Sequence, residues 1–283
     1  MWPMRKGYGA MLPQQAIMVK ENRIDTHAHV FAASCAIAPG TRYRPAGEAP
    51  VGAWLALQDA AGVSHGVLVQ PSFLSTDNSY LLEALRAQPQ RLRATVAVDP
   101  GISLATLSQW DALGVRGIRL NTIGRGQPDE YAKPEWKILF KHLADLGWHV
   151  EVHSEGAAME AMLGVLETCP TRLVIDHFGR PDAKLGLACP GVQALLRMAE
   201  KQPVYVKLSA PYRLSGSDAA AYAGFYLARL GEKRLLWGSD WPWTQHEGRY
   251  SYAQTLGWLS GWIADAQARR ALLWDTPAEL FRF

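Results

Sequence analysis

One pattern constrains this chain more than any other. Short apolar runs with strand character alternate with stretches of helical apolar spacing from near the N-terminus to the last residues. The runs cover residues 23–30, 65–70, 92–98, 117–121, 149–153, 173–177, 204–209 and 235–240. Helical spacing fills 51–61, 78–87, 104–113, 135–146, 157–167, 192–200 and 219–230, and two further helical stretches, 252–263 and 265–273, end the chain. Strands that alternate with helices must run parallel, with the helices packed outside them, and right-handed crossovers wind such units in one direction. A doubly wound open sheet would also alternate. Eight units without a Gly-rich phosphate loop after the first strand point instead to a closed (β/α)8 barrel. At 283 residues the chain has the length for one such domain, expected over 22–283. Residues 1–21 carry Pro3, Gly7, Gly9 and Pro13 without lasting periodicity and read as an N-terminal arm.

In a barrel the C-terminal strand ends meet over one mouth, where the chemistry is assembled. The first strand carries His27 and His29, whose i, i+2 spacing puts both side chains on one face. Two nearby histidines alone are weak evidence for chemistry. Their weight comes from the later strand ends, which bring Gln70 and Ser72, Arg119 and Asn121, Glu151 and His153, His177, Lys207 and Ser209, and Asp240. Neutral imidazoles with a carboxylate suit a borderline divalent ion such as Zn or Mn, and a carboxylate beside a water can take its proton. His65, His142 and His149 lie at strand starts or in a helix and read as structural or surface groups. Arg119, Arg125, Arg180 and Arg213 cluster at the same rim, and guanidinium forks match carboxylates. An anionic small molecule is therefore the expected partner. Tyr43 and Arg44, in the long loop of residues 31–50, are placed to close over it, and His246 is a further candidate contact.

Other classes are disfavoured. The formal net charge is +3, but no Lys/Arg run of the kind nucleic-acid binders carry is present. No apolar run reaches membrane-spanning length and no secretory leader is visible. Cys35, Cys169 and Cys189 form no CxxC pair, which fits a reducing, cytoplasmic setting and argues against a disulfide framework. A monomer or a homodimer is expected.

Asp25-Thr-His-Ala-His29 resembles the opening of the amidohydrolase superfamily, and Trp237-Gly-Ser-Asp-Trp-Pro242 resembles its strand-eight aspartate motif. Val69-Gln-Pro-Ser-Phe73 with Thr76-Asp-Asn78, Gly117-Ile-Arg-Leu-Asn121, Val174-Ile-Asp-His-Phe-Gly-Arg-Pro181 and Val206-Lys-Leu-Ser209 resemble the 2-pyrone-4,6-dicarboxylate lactonase group. The resemblance spans residues 22–283. It implies a distorted (β/α)8 TIM barrel of amidohydrolase type that hydrolyses the ester of a carboxylated lactone. His27, His29 and His177 would face the carbonyl, and Asp240 would activate water. Arg119, Arg125, Arg213, Ser72 and Tyr43 would hold the carboxylates, assisted by Arg180. The lactonase group has a tyrosine at the end of strand five and works without metal, whereas this chain has His153, as in metal-binding members of the superfamily. The resemblance therefore leaves two states open: one divalent ion, Zn or Mn, on His27, His29, His153 and Asp240, or none. It also leaves open a sugar-acid lactone as substrate, or the decarboxylation of an unsaturated carboxylic acid.

Overall fold

The computed structural model describes residues 21–124 and 128–283, so Arg125 and nearly all of the expected arm lie outside the described residues. Eight parallel strands form one sheet in the order β1 to β8. They are β1 (Ile24–Ala28), β2 (His65–Val69), β3 (Leu92–Val96), β4 (Val115–Asn121), β5 (His149–His153), β6 (Arg172–Ile175), β7 (Val204–Leu208) and β8 (Leu235–Trp237). The first seven strands are followed by α1 (Val51–Ala61), α2 (Ser79–Ala87), α3 (Leu104–Leu113), α4 (Pro134–Asp145), α5 (Gly156–Val165), α6 (Pro190–Lys201) and α7 (Ala219–Leu230). After β8 come α8 (Tyr252–Trp262), α9 (Ala266–Arg270) and α10 (Thr276–Phe281). The expected distorted (β/α)8 barrel is thus the observed one, and no described helix is long and apolar enough to cross a membrane.

Two strands end sooner than their apolar runs. The sixth run is strand only to Ile175 and the eighth only to Trp237. His177 and Asp240 sit beyond the strand ends at φ values of 51° and 56°. This left-handed backbone is costly for residues with a Cβ, by about 1–2 kcal/mol each. It breaks the pleat, so each side chain turns over the mouth instead of continuing the strand alternation.

The barrel closes where β1 meets the segment after β8. His29 N donates to Trp241 O at 2.7 Å, Asp240 N to His27 O at 2.9 Å and Thr26 Oγ1 to Trp237 O at 2.7 Å. Gly238 permits this approach, because a Cβ there would fall 2.6 Å from the Cβ of His27. The fully buried Asp25 carboxylate fastens the seam. It accepts from His27 N, Ser239 N, Ser239 Oγ, Trp54 Nε1 and Tyr252 OH at 2.6–3.2 Å, joining β1, α1, α8 and the loop after β8. At the opposite end, Leu280 and Phe281 pack on Ile24, Val67, Val174, Tyr205 and Leu236, plugging the barrel floor with the C-terminal helix.

Asp25→Ala would leave several buried donors without an acceptor, at about 1–3 kcal/mol each. A loss of about 3 kcal/mol or more in urea-induced unfolding is expected. A variant as stable as the parent would show that the seam does not depend on this carboxylate.

Candidate active site

β1 delivers His27 and His29 from one face, as their spacing requires, with ring centroids 4.9 Å apart and Nε2 atoms at 3.4 Å. The left-handed turns bring in His177 and Asp240. Asp240 Oδ1 then lies 3.5 Å from His27 Nε2, 3.7 Å from His29 Nε2 and 3.8 Å from His177 Nε2. This buried oxygen has no hydrogen-bond partner among the described residues. Its sister Oδ2 is saturated, accepting from Tyr212 OH at 2.5 Å and from Arg213 Nε and a terminal Arg213 nitrogen at 3.2 and 3.1 Å. The carboxylate therefore presents one bare oxygen to three imidazoles.

Burial tends to raise the Asp240 pKa, but Arg213 and the surrounding imidazoles outweigh it and hold the group far below the usual carboxylate range. The histidines are pushed the other way. Burial, with Arg119 nearby, lowers His29 to about 4, and burial lowers His177 to about 3. His27 is also held well below its ordinary value by burial and by Lys207. At neutral pH the centre is one carboxylate among neutral imidazoles.

A second buried layer lies beneath. Lys207 Nζ donates to Glu151 Oε2 at 2.5 Å and to His27 Nδ1 at 3.0 Å, and sits 3.4 Å from Asp176 Oδ1. Arg119 donates twice to Asp176 Oδ2, at 3.0 and 2.8 Å, and once to His153 Nδ1 at 3.1 Å. The β4–β5 register sets this up by pairing Arg119 with Glu151 and Asn121 with His153. Two buried cations thus balance two buried carboxylates, the condition under which buried charge is tolerated.

Among the described residues, two groups of three could hold a divalent ion: His27, His177 and Asp240, and His27, Glu151 and Asp176. A tetrahedral zinc site with bonds of about 2.1 Å has donors about 3.4 Å apart. The Asp240 centre, with His29 adjoining, matches that spacing. In the second group the Lys207 ammonium already stands among the three acceptors. His153 belongs to neither. Its Nδ1 faces Arg119, and its Nε2 lies 3.4 Å from a terminal nitrogen of Arg180.

Above the centre is a narrow cleft lined among others by His29, Arg42, Tyr43, Ser72, Arg119, His153 and Arg213. The structure thus gathers Arg119, Arg213, Ser72 and Tyr43 at one opening. Arg180 stands at its edge, paired with Glu155 at 2.7 Å. The Tyr43 hydroxyl donates to Glu247, linking the loop after β1 to the loop after β8. His246 packs on Tyr212, with ring centroids 4.6 Å apart, rather than lining the cleft.

Tyr212 carries no sequence signal beside its charged neighbour Arg213, and it is Arg42, not the expected Arg44, that lines the cleft with Tyr43. Lys207 and Asp176 stand in motifs that give neither a role. Only the strand-end position of Lys207, an unusual place for a lysine in an apolar run, was a usable signal.

A parallel eight-stranded barrel with a His/Asp centre at its mouth defines a hydrolytic barrel enzyme. The amidohydrolase family model matches residues 24–283, and the chain belongs to that family. It is 31% identical over 277 residues to the 2-pyrone-4,6-dicarboxylate hydrolase of Comamonas testosteroni, covering 91% of this chain and 89% of that one. Two solved structures provisionally described as 2-pyrone-4,6-dicarboxylic acid hydrolases are also similar. One, from Acinetobacter baumannii with citric acid bound, has 34% identity and a TM-score of 0.87, covering 93% of this chain and 100% of its own. The other, from Pseudomonas putida, has 43% identity and a TM-score of 0.85, covering 92% and 97%.

The lowered imidazole pKa values set the acid stability. An unfolded histidine gains its proton near pH 6.5, whereas folded His29 does so only at about 4, so acid favours the unfolded chain between these values. Metal-free protein should keep this contribution above pH 6.5 and lose on the order of 3 kcal/mol from His29 as pH falls to about 4. Urea unfolding measured across pH 4–7 checks this. A flat profile would mean that the folded imidazoles take up protons over the same pH range as the unfolded ones.

Proposed function

We propose that this enzyme hydrolyses the ester bond of a carboxylated lactone, with 2-pyrone-4,6-dicarboxylate as the leading candidate. The observation that carries the reading is the unpartnered Asp240 Oδ1, aimed at three imidazoles directly below an arginine-lined cleft. The named relatives support the substrate class.

In this reading a substrate carboxylate docks on Arg119 and Arg213, with Ser72 and Tyr43 completing its contacts and Arg180 adding charge at the rim, and Arg125, outside the described residues, is a further proposed carboxylate contact. The lactone carbonyl then faces His27, His29 and His177. Asp240 Oδ1 takes a proton from water, and the hydroxide adds to the carbonyl carbon. N–H groups of His27 and His177 stabilise the tetrahedral oxyanion, while His29, whose proton is held by Val69 O, presents a lone pair to the centre. The C–O bond to the ring oxygen breaks, and Asp240 returns the proton to that oxygen.

A carboxylate held so far below its ordinary pKa is a weak base. Substrate docking eases this, because a second carboxylate drawing on Arg213 loosens the hold on Asp240 Oδ2. Binding and base strength are thereby coupled through one guanidinium.

The centre also fits a divalent ion such as zinc or manganese, on Asp240, His27, His29 and His177. When bound, the ion would supply Lewis acidity at the substrate carbonyl. His153, facing two guanidinium groups, is in this proposal a substrate-side residue.

Asp240→Asn should lower kcat on 2-pyrone-4,6-dicarboxylate by about 10³-fold or more, with KM little changed. Full turnover in that variant would refute the role of Asp240. Arg213→Met should raise KM about tenfold or more and also lower kcat, because it loses both docking and the coupling. Parent turnover of aldonolactones above that of the pyrone dicarboxylate would overturn the substrate assignment, as would release of carbon dioxide without ring opening.

A further inference from the structure

The lysine layer beneath the imidazoles has no part in holding a lactone, yet it touches His27 directly. Its consequence follows from two contacts that constrain the same ring from opposite sides. His29 Nδ1 lies 2.7 Å from Val69 O, and a carbonyl only accepts, so Nδ1 carries the proton and Nε2 of this neutral ring keeps its lone pair. His27 Nε2 is 3.4 Å from that lone pair, so the contact is a hydrogen bond only when His27 supplies the hydrogen. On the far side, Lys207 has donors and no acceptor, and its Nζ is 3.0 Å from His27 Nδ1. That contact too requires a bare Nδ1 and a protonated Nε2.

The opposite tautomer would aim Nδ1–H at Asp176 Oδ1, 3.3 Å away and otherwise without a hydrogen-bond partner, with Glu151 Oε1 more distant at 3.7 Å. It would set two N–H groups against each other at the Lys207 contact and two lone pairs against each other between His27 and His29. Glu151 and Asp176 fix the ammonium in place, so the bias is built into the barrel interior.

We propose that Lys207 is a positioning residue: by donating into Nδ1 of His27 it keeps that ring as the Nε2–H tautomer, an N–H donor at the reaction centre instead of a ligand for a divalent ion. The proposal rests on the hydrolytic reading of this centre and adds what sets its affinity for metal. Without the ammonium, Nδ1–H turns to Asp176 and Nε2 offers its lone pair. The four donors His27, His29, His177 and Asp240 are then complete.

The first test uses the metal-free wild-type protein with ¹⁵N-labelled histidine, His27 being assigned by comparison with His27→Gln. The expected result is a His27 ring protonated at Nε2 and bare at Nδ1. A ring protonated at Nδ1 overturns the proposal, and this measurement needs no variant of Lys207. The second test uses Lys207→Met combined with Glu151→Gln, which removes the buried charge with its partner and disables the second ligand group. Zinc alone, titrated in competition with a chromophoric chelator, should bind about tenfold tighter or more than to wild type, the size typical of partners behind a metal ligand. Unchanged zinc affinity in the folded double variant overturns the proposal. Neither readout involves turnover, so absence of lactone hydrolysis would remove the substrate assignment and leave these results to stand by themselves.

Discussion

A carboxylate with five donors and no cation holds the two ends of the barrel together. Asp25 joins β1 to Ser239, and through Trp54 and Tyr252 it ties both to the surrounding helices. The strand that carries His27 and His29 and the turn that carries Asp240 lie more than two hundred residues apart in the chain, yet they meet across this seam. An error of an ångström there would pull the Asp240 carboxylate away from the imidazoles. The buried carboxylate is therefore a structural group that sets the geometry of the His/Asp centre, and it uses neutral donors, so it adds no competing cation there.

Above that seam the interior is arranged as charge in layers. Lys207 and Arg119 neutralise Glu151 and Asp176, while Arg213 neutralises Asp240 from the rim. Each of these ions has an opposite neighbour, and the imidazoles of His27, His29 and His177 stay neutral because burial and nearby cations oppose their protonation. One guanidinium both pairs with Asp240 and lines the cleft, and one ammonium reaches up to the first histidine. The same few groups thus set solubility of charge in the core, the protonation of the rings and the anionic preference of the cleft.

Much of this was legible along the chain. The alternation of apolar periods located every strand and, in the helices α1, α3 and α7, the observed boundaries as well. The HxH spacing placed two rings on one face because the strand period is two. The runs ending at His177 and Asp240 were harder to read. An apolar pattern does not reveal where a strand gives way to left-handed backbone, and both residues depend on that change. Tyr212 was invisible for a related reason: a tyrosine beside an arginine in a loop has no periodicity to mark it.

By itself the sequence determined the winding, because hydrophobic period and helix spacing are local properties that each segment expresses alone. It also determined which chemical types would reach the mouth, since strand ends in a parallel barrel share one face. Tertiary structure alone decided which oxygen of Asp240 is bare, which cation lies behind His27, and that His153 is flanked by arginines. Those are matters of distance between segments far apart in the chain, and the hydrogen-bond partner of a buried group is chosen by packing in three dimensions, where no local pattern records it.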